Sequence, residues 1–235
     1  MDRTTGYYDL IDAFAEEGCP VCRLGLAAVD RSIRAIDYES VGDPGIREHL
    51  RASLGFCNVH AHQWLSQAHV LGTASIYVDV LMRLTAELRA LPFRPHPMLA
   101  DVAALLGPRA RQSGDRRPLV PTRECLVCRV LADTEAILVR TLLATLPEPA
   151  FQDAYSDSSG LCLPHLRRAV GQAGDEVTFA MLRDATLVRE ERLLAELREI
   201  IRKHDYRFAS EPAGAERGAA GRAVHHNAGA PGIPA

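Results

Sequence analysis

Eight side chains in this 235-residue chain have the types and spacing for metal chemistry: Cys19, Cys22, Cys57, His60, Cys125, Cys128, Cys162 and His165. They form four pairs, each with two residues between its members, reading CxxC, CxxH, CxxC and CxxH along the chain. Side chains three apart on a first helical turn project from one face, so each pair offers two donor atoms in one direction. Two thiolates can share an ion about 2.3 Å from each sulfur, and a cysteine with a histidine supplies the other two donors. Three thiolates and one imidazole complete a tetrahedral shell with no position left for water or substrate. That shell suits structural zinc, two ions per chain, and does not suit catalysis. The pattern uses all six cysteines of the chain, which sets it apart from a lone CxxC.

Other chemistry competes with zinc for these residues. An iron-sulfur cluster can be held by thiolates with a histidine substituting, which would make the chain an electron-transfer or sensing protein. Cys19-Pro20-Val21-Cys22 also looks like a thiol-disulfide motif at a helix start, where the dipole lowers a thiol pKa. That reading lacks the expected strand-helix surroundings and leaves Cys57, His60, Cys162 and His165 unexplained. Treating all eight residues as buried cysteines and local histidines requires coincidence in two matched sets.

The elements that must hold these pairs come in two copies. After the CxxC pairs, 34 residues separate Cys22 from Cys57 and 33 separate Cys128 from Cys162. Pro20 opens a helix on which Val21, Leu24, Ala28, Val29, Ile33 and Ile36 recur at helical spacing up to Tyr38. Val127, Val130, Leu131, Ile137, Leu138, Thr141 and Leu142 repeat the pattern until Pro147 and Pro149 stop it. A second helix follows each CxxH, through Trp64, Leu65 and Ala68 or through Leu166, Ala169 and Val170, ended by Gly72 and by Gly171 or Gly174. Long charged helices close the copies over Thr73 to Leu91 and Glu176 to His204, containing Ala86-Glu87-Leu88-Arg89 and Ala195-Glu196-Leu197-Arg198. Expected is an all-α chain of two tandem repeats. Residues 1–91 form the first metal-binding repeat, 92–123 a Pro- and Arg-rich linker, 124–208 the second repeat and 209–235 a disordered Ala/Gly/Pro tail. Each site is expected to close within its own copy, by a helix of about 25 Å leading out and a shorter segment leading back. The alternative joins Cys19 and Cys22 to Cys162 and His165.

Composition narrows the function. Hydrophobic residues are 47%, charged residues 24% and the formal net charge is -3, values of an ordinary globular protein. The acidic balance and the lack of an aromatic-basic face make nucleic acid an unlikely partner. No apolar run approaches the ~20 residues of a membrane span. The acidic start of the chain does not resemble a secretory signal, so a reducing cytoplasm is expected. A basic run from Arg109 to Arg117 reads as a solvated loop beside a short helix over Met98 to Leu106. His49, His62, His69 and His96 read as surface or satisfied residues, with His62 placed to support a ligand, and His225 and His226 fall in the tail. Glu190, Glu191, Glu196 and Glu199 read as solvated helix carboxylates, and no catalytic motif is present.

The chain closes its last helix with His204-Asp205-Tyr206-Arg207-Phe208. With the order CPxC, GFCxxH, CxxC, GLCxxH, this segment makes residues 5 to 210 resemble an uncharacterised bacterial and archaeal family of unknown function. The resemblance implies no established activity. Some members carry a transporter-component label that nothing in these residues supports, and the Ala/Gly/Pro tail departs from the family pattern. The function expected from these residues is a non-catalytic, zinc-stabilised interaction or adaptor module for a protein partner. The alternative is an iron-sulfur or thiol-based redox or metal sensor or electron-transfer protein.

Overall fold

A computed structural model describes residues 5–92, 119–208 and 210–233. The linker helix expected over Met98 to Leu106, the basic run Arg109 to Arg117 and His96 lie outside the described residues. Among the described residues the chain is all-helical, with ten α-helices and no strand. In order these are α1 (Thr5–Phe14), α2 (Pro20–Ala35), α3 (Pro44–Ala52), α4 (Asn58–Gln67), α5 (Val70–Arg89), α6 (Leu126–Thr145), α7 (Pro149–Asp157), α8 (Leu163–Gln172), α9 (Glu176–Lys203) and α10 (Ala219–Ala228). A π-helical turn, Ile36–Ser40, continues α2. No helix among them is long and apolar enough to cross a membrane.

Two helices absent from the sequence reading are started by proline. Pro44 and Pro149 stand in the first turns of α3 and α7, where a missing N–H costs nothing. Asp43 caps α3 by accepting from the Ile46 N–H at 2.8 Å, and Asp175 does the same for α9 through Thr178 at 2.8 Å. Pro149 therefore opens α7 after α6 has ended. Gly72 does not end α4, which stops at Gln67. It lies in the first turn of α5, where a Cβ would come within 2.6 Å of the Asp37 carboxylate. That carboxylate also accepts from the His69 N–H at 3.2 Å and contacts His69 Nδ1 at 2.6 Å.

The chain divides into two compact units, and the division is not at 91 and 124. One unit is Met1–Ser32 with Arg129–Ala235, and the other is Ile33–Cys128. The outer unit is built on Tyr7, Leu10, Phe14, Val21, Leu142, Phe151, Tyr155 and Leu182, all buried. Phe14 packs edge-on to both Phe151 and Tyr155, with ring centroids 5.1 and 5.7 Å apart. The inner unit buries Ile36, Leu50, Ile76, Val80 and Trp64. Trp64 stacks on Phe56 at 5.0 Å and donates to Thr73 Oγ1 at 2.9 Å. The end of the expected linker is fastened to this unit, with the Thr122 N–H donating to the Ala52 carbonyl at 2.8 Å.

The tail expected to be disordered carries α10. Few large apolar groups hold it. Ala219 is fully buried, Arg222 pairs with Glu196 at 2.7 Å, and Lys203 pairs with Glu216 at 2.7 Å. Small-residue packing and ion pairs, to which hydropathy is blind, do the anchoring.

Candidate metal centres

Each of the four motifs has the same local geometry. Cys19, Cys57, Cys125 and Cys162 stand one residue before a helix, and Cys22, His60, Cys128 and His165 are its third residue. Cys57 and Cys162 are extended N-cap residues, at ψ 170° and 161°. The positive ends of the helix dipoles thus face the sulfurs and favour thiolates. In the CxxH motifs a glycine two residues earlier turns the chain, at φ +89° for Gly55 and +71° for Gly160. At Gly160 the need is also steric, because a Cβ would lie 2.8 Å from Arg189 Nη1. That guanidinium sits 4.5 Å over the Tyr155 ring, and its Nε donates to the Ser158 carbonyl at 2.9 Å. Phe56 and Leu161, the next residues, are buried and anchor the turns.

The eight residues gather into two clusters that can each hold a metal ion, within each of which the donor atoms all lie within 4.8 Å of one another. Cys19, Cys22, Cys162 and His165 form the first and Cys57, His60, Cys125 and Cys128 the second. Closure within a copy is thereby overturned: each CxxC meets the CxxH of the other half, one cluster in each unit. The reason is length. The 16-residue α2 and the 20-residue α6 carry the chain about 24 and 30 Å away from their CxxC pairs. The nine-residue α3 and α7 rise only about 13 Å, so a return to the same CxxC would rest on the loops between the helices.

In the first centre His165 Nδ1 lies 3.5, 3.4 and 3.1 Å from the sulfurs of Cys19, Cys22 and Cys162, and Cys22 and Cys162 are 3.5 Å apart. In the second, His60 Nδ1 lies 3.3, 3.7 and 3.3 Å from Cys57, Cys125 and Cys128, and Cys57 and Cys128 are 3.4 Å apart. Mutual hydrogen bonds polarise the sulfurs. Cys162 and Cys22 draw the Cys19 thiol far below its ordinary value, while the bonds from Cys162 and Cys19, with burial, push Cys22 far up. Burial, then Cys57, pushes Cys128 up. Protons crowded among four converging donors are what a divalent cation displaces.

The imidazoles differ in their second nitrogen. His165 Nε2 lies 3.0 Å from Glu135, which is itself 4% exposed and accepts from Arg168 at 2.6 Å. Burial opposes a charge on the ring, but the contacts with Cys162, Cys19 and Glu135 outweigh it and raise His165 to about 11. His60 Nε2 is buried without a hydrogen-bond partner among the described residues, and burial lowers His60 from its ordinary value. Glu135 escaped the sequence reading, although it falls in register with Leu131, Leu138 and Leu142. A carboxylate on the buried stripe of a helix was the available signal.

The remaining histidines and the charged helix have plain roles. His49 Nε2 meets the Glu124 carbonyl at 2.9 Å, and His62 is exposed. Glu190 and Glu196 bind the tail through His226 and Arg222, and Glu199 pairs with Arg202 at 2.7 Å. In the closing segment Arg207 pairs with Asp205 at 2.7 Å and Phe208 lies beneath Arg202 at 4.6 Å, while Tyr206 is 88% exposed.

Residues 1–231 match the model of a "Family of unknown function (DUF6062)". The chain belongs to this family. It is also similar to an "Uncharacterized 23.9 kDa protein in xynA 3'region" of Caldicellulosiruptor sp. (strain Rt8B.4), 26% identical over 199 residues that span 84% of this chain and 88% of the relative. No solved structure matches.

Proposed function

We propose that this DUF6062 chain is a non-catalytic protein that binds one zinc ion in each Cys3His cluster and uses the helical scaffold so fixed to engage a protein partner. The donor geometry carries the reading. Four ligands at tetrahedral angles, about 2.3 Å (sulfur) and 2.0 Å (nitrogen) from one ion, stand about 3.5 to 3.8 Å apart. The sulfur–sulfur and sulfur–nitrogen contacts given above run from 3.1 to 3.7 Å, and no two donor atoms of a cluster lie more than 4.8 Å apart. A polynuclear iron-sulfur cluster spreads its protein ligands over different iron atoms and so holds them further apart than one ion does. Each shell is complete in protein donors, which suits a structural ion. Free cysteines throughout the chain suit a reducing compartment such as the cytoplasm.

The partner side of the proposal rests on α5, which leaves Leu71, Val78, Leu81 and Met82 between 54 and 78% exposed. The decisive measurement is metal and sulfide content with the visible spectrum of protein purified without air. Two zinc ions per colourless chain is the expected result, whereas iron with acid-labile sulfide would replace the proposal with an electron-transfer or sensor protein. The duplicated order of the motifs further supports descent of the two halves from one repeated unit.

A further inference from the structure

The end of the chain runs directly over one centre. Gly229 is buried and adopts φ +82° and ψ -175°, a conformation open essentially to glycine alone. A Cβ placed on it would lie 3.6 Å from the sulfurs of both Cys22 and Cys162. The backbone of Ala230 hydrogen-bonds the Cys22 sulfur, and a Cβ on Gly232 would touch Leu26 of α2 at 3.4 Å. Upstream, α10 is tied to α9 by Arg222 to Glu196 at 2.7 Å and His226 to Glu190 at 3.2 Å. The cavity of about 780 Å³ beside Cys19 and Cys162 takes one wall from Arg217, Arg222, His225 and His226.

We propose that residues 214–233 form a built-in cap on the Cys19, Cys22, Cys162 and His165 centre, with Gly229 and the Ala230 N–H seated on its sulfurs, and that the cap makes this centre the slowly exchanging one. The inference rests on the metal reading above. A divalent ion with three thiolates carries a net negative charge, and an N–H donor beside a buried thiolate stabilises the charged form. The same backbone excludes an incoming ligand or proton from Cys22 and Cys162, while the tail wall narrows the approach to Cys19. In the second centre two sulfurs, Cys57 and Cys128, are partly exposed, against Cys19 alone in the first.

Zinc transfer to a chromophoric chelator, followed in the full-length protein together with fluorescence, tests the cap. Trp64 is the single tryptophan, fully buried and four residues beyond His60 on α4, so its emission marks the second centre. The wild type should release zinc in two equal phases, a fast one that changes Trp64 emission and a slow silent one. Gly229→Val should accelerate the silent phase about tenfold or more, the scale on which support around metal ligands acts. The Trp64 phase should be unmoved. Arg222→Ala, which touches neither sulfur, should act in the same direction and less. Ala230→Pro, which removes the N–H, should also shift the thiolate-to-metal absorption of cobalt-loaded protein. Unchanged silent-phase rates in these variants, or a wild type whose slow phase carries the Trp64 change, would overturn the cap. Protein that carries no zinc overturns the metal reading itself, and the cap with it.

Discussion

At the first centre the histidine leans on Glu135, Glu135 on Arg168, and the tail backbone lies across two sulfurs. At the second, the same donors in the same helical register have a buried imidazole nitrogen with no hydrogen-bond partner among the described residues and two sulfurs partly open to water. The position seven residues after the second cysteine of each CxxC differs between the halves: Glu135 in one, and Val29, fully buried, in the other. The shared part is what four donors need in order to converge. On the proposed metal reading the differing part would set how firmly an ion is kept, because hydrogen bonds behind a ligand fix its orientation and its charge. One architecture would then hold two ions in different regimes, one more insulated than the other.

The largest effect expected from breaking this comparison is loss of a whole centre, and the choice of cysteines decides which. Cys19→Ala with Cys162→Ala removes two ligands of the first centre only, so the protein should keep one zinc. Cys19→Ala with Cys57→Ala removes one ligand from each, and should keep none. Closure within each half requires the reverse for the second pair, one zinc retained, so metal stoichiometry alone separates the two arrangements. Structural zinc contributes on the order of 10 kcal/mol to small domains. Variants lacking the first centre should therefore unfold at much lower temperature, and Trp64 emission should stay native while the inner unit holds its ion.

Much of this was legible in the residues. All-helical character, the eight Cys and His residues that gather into clusters and the starts of the helices at CxxC and CxxH follow from spacing and from Pro20. Pairing did not follow, because a spacing of 34 or 33 residues gives chain length and not direction. The return segments fold into helices begun by Pro44 and Pro149, of which Pro149 reads as a breaker from sequence. The tail was missed for a different reason: Ala219 and Gly229 contribute fit in place of apolar area, and the ion pairs that hold α10 join residues 26 and 36 positions apart. Glu135 was visible as a charge on an apolar stripe, but its partner His165 lies on another helix.

A smaller effect should come from removing the support behind one imidazole. Glu135→Ala takes the carboxylate from His165 and leaves Arg168 unpaired, and should weaken zinc at the first centre by about 10- to 100-fold. Glu135→Gln, which keeps an acceptor and loses the charge, should fall between. Chelator competition with Trp64 emission as the marker resolves the two ions. If the Trp64-linked ion weakens as much as the silent one, Glu135 acts on overall stability and not through His165.

The smallest effect concerns what holds the cap down. Lys203 first, and then the Gly214 N–H, keep the Glu216 carboxyl ionised in the folded chain, at about 2 against an ordinary 4.5. A carboxyl lowered on folding contributes stability that is complete above its unfolded value and is lost as pH falls toward the folded one. The tail should therefore loosen between about pH 4.5 and 2, on top of whatever protonation of the thiolates does to the centres. Amide exchange over Ala219–Ala228 reads this directly. Glu216→Gln should raise exchange there a few-fold at neutral pH, where both ions remain bound, and should flatten the acid dependence relative to the wild type. Equal acid curves for the two proteins would show that Glu216 does not anchor the tail, and would leave the Arg222–Glu196 and His226–Glu190 pairs as the contacts that hold the cap over Cys22 and Cys162.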